Sequence, residues 1–204
     1  ATIVLVEPQH PGNVGAVARV MANFGCDELL LVGGCEIDDD AMARAKAGRP
    51  LLESARRIAS LKEALVETPV SVATSGIVPK GDSRWQRAPH PVQELAGLLE
   101  GREPALVFGR ENHGLDRGEL ALCDLTIQVP TSPKHPVLNL SHAVGIVLYE
   151  LFRNDAFQRP YRPDVVERQE IDLLVERIME AVRESRFAER RLPRAETTLR
   201  RVLV

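Results

Sequence analysis

The chain has 204 residues, 44% hydrophobic and 27% charged, with a net charge of −3, enough for one substantial core plus an appendage. No apolar run approaches the ~18 residues of a membrane span, and the N-terminal ATIVLVE lacks the basic start and small-residue cleavage site of a secretory signal, so a cytoplasmic protein with no membrane partner is expected. Cys26, Cys35 and Cys123 are odd in number and lack close spacing, which argues against a disulfide framework and a zinc site, and no metal is expected.

Thr2 to Val6 is short, apolar and without polar alternation, the pattern of a buried parallel strand. After the turn-rich PQHPGNVG, the residues Val14, Val17, Ala18, Met21 and Phe24 fit one helical stripe, closed by Gly25. Glu28 to Val32 reads as a second strand, Asp38 to Lys46 and Leu51 to Leu65 as helices, and Val70 to Ala73 as a third strand ending in Thr74-Ser75-Gly76. Residues 77–91 hold three prolines and the run Arg84-Trp85-Gln86-Arg87, and read as a long exposed loop. Val92 to Glu100 reads as a helix, Ala105 to Phe108 as a strand, Asp116 to Leu122 as a short helix and Leu125 to Val129 as a strand. Asn139 to Asn154 is a helix apolar on most of its circumference, and such a helix needs cover on two sides. A linker with Pro160 and Pro163 precedes a charged amphipathic helix, Val165 to Glu184. Alternating strands and helices imply an α/β fold with a parallel sheet. Residues 183–204 hold seven arginines against three glutamates, a local balance of +4 that leaves −7 on the rest. That tail is either a solvated helical face or a phosphate-contacting element.

Parallel sheets place ligands at strand C-termini, so the loops after these strands are the candidate site. GNVGAVA at 12–18 fails the dinucleotide fingerprint, because the second glycine falls on Val14. Arg19 lies off the apolar stripe of its helix and is either a solvated arginine or a phosphate clamp. Glu111, bracketed by Gly109 and Gly114, suits a general base or a cap. Asn139 and Ser141 stand where helix caps stand. His113 and His142 lack a convincing ligand set.

In combination, PQHPGNVGAVARVMANFG, LVFGRENHGL and PVLNLSHAVGIVLYEL resemble the three motifs of the SPOUT superfamily of RNA methyltransferases, in its ribose 2′-O-methylating branch, and are most similar to the TrmJ family. The resemblance implies a parallel-sheet SPOUT fold with a C-terminal deep trefoil knot in residues 1–155, and a helical basic extension in residues 156–204. It implies S-adenosylmethionine as cofactor, giving S-adenosylhomocysteine, held by Thr74, Ser75, Gly76, Phe108, Gly109, Arg110, Ile127, Val129, Pro130, Val137, Leu138 and Asn139. It implies catalytic roles for Arg19, Asn13, Glu111 and Ser141, a homodimer, and methylation of the ribose at tRNA position 32. Arg84, Arg87, Arg186, Arg190 and Arg191 are the implied RNA contacts. Ribosomal RNA is the alternative substrate, and a non-catalytic RNA-binding protein the alternative class.

Overall fold

A computed structural model describes residues 1–76, 89–154 and 168–184. The chain divides into two compact units, Ala1–Ala156 and Phe157–Val204. Unit one is built on a seven-stranded sheet whose strands β1 (Thr2–Val6), β2 (Glu28–Val32), β3 (Arg56–Ile58), β4 (Val70–Thr74), β5 (His90–Pro91), β6 (Pro104–Phe108) and β7 (Leu125–Gln128) lie in the order β3-β2-β1-β6-β4-β7-β5. Every pairing is parallel, so the strand C-termini lie along one edge.

The central strands are apolar at successive positions because both faces of the sheet are covered. One face carries α1 (Pro11–Asn23), α2 (Asp39–Ala45), α3 (Arg49–Glu53), α5 (Leu95–Leu99) and α7 (Leu140–Asn154), which contribute Val14, Met21, Leu52, Leu95, Val144 and Val147 to the larger core. The other face carries α4 (Leu61–Ala64) and α6 (Arg117–Ala121), whose neighbourhood contributes Leu61, Ala64, Leu115 and Leu120 to a second cluster with Val4, Val6 and Val107. In α1 the N-cap His10 makes no side-chain cap. A missing cap costs about 1 kcal/mol, whereas Val14, Val17 and Met21 are each no more than 1% exposed and contribute roughly 1.5–3 kcal/mol apiece, so packing decides the helix. Gly25 follows its C-cap at φ 66°, as the pattern predicts.

The helix expected over residues 51–65 is three elements instead: α3 stops at Glu53, β3 pairs with β2, and α4 begins at Leu61. Two serines override the helix-like apolar spacing. Ser54 turns its hydroxyl back to the Pro50 carbonyl at 2.9 Å, and the Ser60 hydroxyl accepts the Glu63 N–H at 3.2 Å to cap α4; such local bonds compete with helix interiors. Arg56 and Arg57 then suit an exposed sheet edge, where charge blocks further pairing. The expected loop over residues 77–91 likewise ends in β5, and its residues 77–88 lie outside the described ones.

The helix α7 turns Leu140, Val144, Val147 and Leu148 into the core. Its opposite side leaves Tyr149 52% and Phe152 49% exposed, with the Phe152 ring edge-on to Phe24 at 5.7 Å. In unit two, the described helix is α8 (Arg168–Glu184). No helix among the described residues is long and apolar enough to cross a membrane.

Candidate active site at the strand C-termini

A cavity of about 950 Å³ opens beyond the ends of β4, β6 and β7. Its walls include Thr74, Ser75, Gly76, Phe108, Gly109, Arg110, Ile127, Val129, Val137 and Leu138, ten of the twelve positions expected to hold the cofactor. Pro130 and Asn139 do not line it. Leu115, Asp116, Leu120, Ala143 and Val147 do, and the sequence reading missed them because each looks like an ordinary core or cap residue. Thr74 donates its hydroxyl to the Val107 carbonyl at 3.0 Å and the Ser75 N–H reaches the Ile127 carbonyl at 3.0 Å, so the β4 end is pinned to its neighbours on both sides.

The loop after β6 is shaped by two glycines. Gly114 sits at φ 68° and exchanges backbone bonds with Arg110, its N–H reaching the Arg110 carbonyl at 2.9 Å. Gly109 lies so close to that turn that a Cβ would collide with the backbone of Gly114 and Leu115. The Arg110 side chain, 11% exposed, grips Glu119 with both terminal nitrogens at 2.9 and 3.0 Å and Glu7 with Nε at 2.8 Å. The two carboxylates, Glu119 first, push this guanidinium above its already high range, so it stays charged and offers the cavity backbone more than side chain. Glu119 also closes a capping box with Asp116 at the start of α6.

From Glu111, which lines the cavity, one hydrogen-bonded chain joins three distant loops. Glu111 accepts the N–H groups of Gln9 at 2.9 Å and His10 at 3.2 Å, and the Asn13 amide at 2.9 Å. The Asn13 oxygen accepts from the Asn139 amide at 3.0 Å, and the Asn139 oxygen accepts both the backbone and the hydroxyl of Ser141 at 3.0 and 2.9 Å. Asn139 thereby caps α7 while reaching α1. Burial would raise the Glu111 pKa, but the bonds from Asn13, Gln9 and His10 outweigh it and hold it below the usual carboxylate value. An ionised acceptor with three donors, placed at the α1 N-terminus, is suited to holding the Gln9–Asn13 loop.

The sign of that shift gives a test. A depressed folded pKa adds stability above the unfolded value, near 4.5, that is lost as pH falls through the folded value. Glu111→Gln turns an amide toward a donor and should cost roughly 1–3 kcal/mol at pH 7. In thermal melts from pH 7 down to 3 the gap between parent and variant should close below about pH 4.5; a gap constant with pH would refute the clamp.

Arg19 is exposed on α1 and does not line the cavity. Among the described residues it makes no ion pair or hydrogen bond. Burial pushes the Cys123 thiol up to about 12, so this cavity residue is a protonated wall and not a nucleophile. Among the described residues no cluster of three metal-ligating side chains occurs. Arg84, Arg87, Arg186, Arg190 and Arg191 lie outside the described residues.

A parallel sheet with a cavity at its strand C-termini, flanked by polar groups from three loops, defines an α/β domain of the kind whose ligand sites lie at those strand ends. The chain belongs to the SpoU rRNA methylase family, which matches residues 1–149. It is 42% identical over 154 residues to the tRNA (cytidine-2′-O-)-methyltransferase TrmJ of Methanocaldococcus jannaschii, covering 74% of this chain and 66% of that protein. It is 37% identical over 158 residues to the tRNA (cytidine/uridine/adenosine-2′-O-)-methyltransferase TrmJ of Pseudomonas aeruginosa, covering 73% and 59%. The chain therefore spans less than two thirds of the length of these curated relatives. Among solved structures it is similar to TrmJ from Z. mobilis ZM4, with a TM-score of 0.67, 28% identity, and coverage of 99% of this chain and 89% of that one.

Proposed function

We propose that this protein transfers a methyl group from S-adenosylmethionine to a ribose 2′-hydroxyl of tRNA, at position 32 of the anticodon loop. The observation that carries the reading is the cavity: ten of twelve positions nominated by the family resemblance line one space of about 950 Å³, large enough for a nucleoside-sized ligand. The donor set fits such a group. The walls Phe108, Leu115, Leu120, Ile127, Val137 and Leu138 are apolar, backbone at 74–76 and 109–110 is close at hand, and Asp116 adds a carboxylate. When bound, S-adenosylmethionine supplies a methyl group on an already activated sulfonium. In this reading the deep trefoil knot lies at the C-terminal side of unit one. After β7, at the far side of β4, the chain must return past the strand ends to set Asn139 against Asn13, which is the path a knot would need.

The transfer forms an oxygen–methyl bond, breaks the sulfur–methyl bond and releases one proton, leaving S-adenosylhomocysteine. The protein has to align the reactants and tolerate a developing alkoxide. Arg19 suits the alkoxide and an adjacent phosphate, because a guanidinium offers five N–H donors and no acceptor. Asn13, Glu111, Asn139 and Ser141 orient the loops around the reacting centre.

A homodimer completes the reading. Val20, Gly145, Ile146 and Tyr149 line a shallow depression between α1 and α7, beside the exposed Phe152, and this is the second cover that α7 lacks within one chain. The same packing would bring Arg19 of one subunit to the cavity of its partner, in keeping with its exposed place outside the cavity of its own chain. Residues 156–204 form the RNA-contacting extension, with Arg84 and Arg87 adding contacts.

The deciding experiment is methyl transfer from labelled S-adenosylmethionine to bulk tRNA with ribose mapping. Label at the position-32 ribose is expected. Label in ribosomal RNA alone would move the substrate, and cofactor binding without label in any RNA would make the protein a non-catalytic binder.

A further inference from the structure

On the α1 side of the sheet, four cations stand together in an otherwise acidic body: Arg19, Arg44, Lys46 and Arg49 are all exposed. Backbone packing fixes them in place. Gly15 lies so tightly against Ala41 that a Cβ would meet its carbonyl, and a Cβ on the buried Gly48 would collide with Ala18 and lie 2.7 Å from the Arg19 nitrogen. The turn Lys46–Gly48 therefore sits on α1 at Arg19 itself. At the other end, a Cβ on Gly12 would lie 2.7 Å from the Arg44 Nε, so the cations follow α1 over seven residues, about 10 Å.

Their charges are unequally spent. Arg44 is paired with Asp40 at 2.9 Å, and Arg49 gives Nε to the Met42 carbonyl at 2.9 Å, leaving its other nitrogens for a ligand. Among the described residues no carboxylate pairs with Lys46 or Arg19. Of the acids around the turn, Asp38 accepts the Ala41 N–H, Asp39 begins α2 at the end away from Lys46, and Glu53 is exposed one turn beyond Arg49 on α3 without a hydrogen bond to it. Lys46 also adopts φ 50°, a conformation that glycine would take without strain. A strained backbone kept under a long, unpaired cation marks a position where the side chain has a use.

We propose that Lys46 and Arg49, with Arg44 behind them, form a phosphate-contacting strip that carries the RNA backbone next to the target ribose onto Arg19. This rests on the RNA ribose methylation reading and adds a docking surface on α2 and α3 to it. The cations of the strip would neutralise phosphates and release counterions, so their removal should appear in the salt dependence of binding.

The test uses the full chain and bulk tRNA, with binding measured between 50 and 200 mM salt. Lys46→Gln/Arg49→Gln should reduce the slope of log K against log salt by about 1.4–1.8, from 0.7–0.9 per contact. It should raise the KM for tRNA about tenfold, a binding loss of 1.4 kcal/mol, with kcat at saturating tRNA within about twofold of the parent. Affinity for S-adenosylhomocysteine should not change. Lys62→Gln, on α4 across the sheet, is the matched control and should keep the parental slope. A double variant whose slope and KM equal those of the control overturns the strip. If the parent methylates no RNA yet the slope still falls in the double variant, the methylation reading fails while the strip stands.

Discussion

Gly109→Ala should weaken cofactor binding at least tenfold while Gly76→Ala, in the wall of the same cavity, is nearly silent. A Cβ at 109 meets the backbone of Gly114 and Leu115, which no rotamer change can relieve, whereas one at 76 finds Pro136 and Val137 at 3.7–3.8 Å, ordinary contact. Overpacking of this kind costs about 1–3 kcal/mol, and it falls on the loop that forms the cavity wall and carries Arg110 into its grip on Glu7 and Glu119. Calorimetric titration with S-adenosylhomocysteine should show affinity for the 109 variant reduced at least tenfold, equivalent to about 1.4 kcal/mol. Its thermal midpoint should fall by roughly 2–10 °C. Binding within twofold of the parent would mean that the cavity is not the cofactor site.

Arg19→Ala should lower the turnover of methyl transfer by about 10²–10³, the usual consequence of removing one group that stabilises developing negative charge. Cofactor affinity should be untouched, because the side chain lies away from the cavity walls. The two variants together separate action within a chain from action across a two-fold. If Arg19 serves the partner's cavity, then at a cofactor concentration too low to fill the Gly109→Ala cavity a mixture of Arg19→Ala and Gly109→Ala subunits regains about a quarter of the activity of the parent at that concentration, since half the dimers are mixed and each has one intact site. If it serves its own cavity, or if the chain is a monomer, nothing is regained. Full turnover by Arg19→Ala alone would remove this residue from the reaction.

Much of this was legible in the residues. The largely apolar runs 2–6, 28–32, 70–73 and 105–108 are strands because a sheet covered on both faces takes apolar side chains at successive positions, and Gly25 and Asp116 end and begin helices by local backbone chemistry. The cavity walls were reached through motif resemblance, which transfers positions without geometry. The error over residues 51–65 has two sources: Ser54 and Ser60 break the helix by local bonds that apolar spacing does not register, and the pairing of residues 56–58 with β2 is a non-local contact that no local pattern contains.

What the sequence by itself determined is the alternation of strands and helices, the parallel sheet class and the motifs at the strand ends, since each depends on neighbours within a few residues. The tertiary structure alone decided the insertion of β6 between β1 and β4 and the chain from Glu111 through Asn13 to Asn139, whose links bridge 98 and 126 residues of sequence. It also decided that Arg110 spends its charge on Glu7 and Glu119 and that Gly48, at the end of the Lys46–Gly48 turn, packs on the backbone of Ala18 and Arg19. These facts depend on which distant loops meet once the two faces of the sheet are buried, and a pairing energy between residues a hundred positions apart leaves no periodic mark on either.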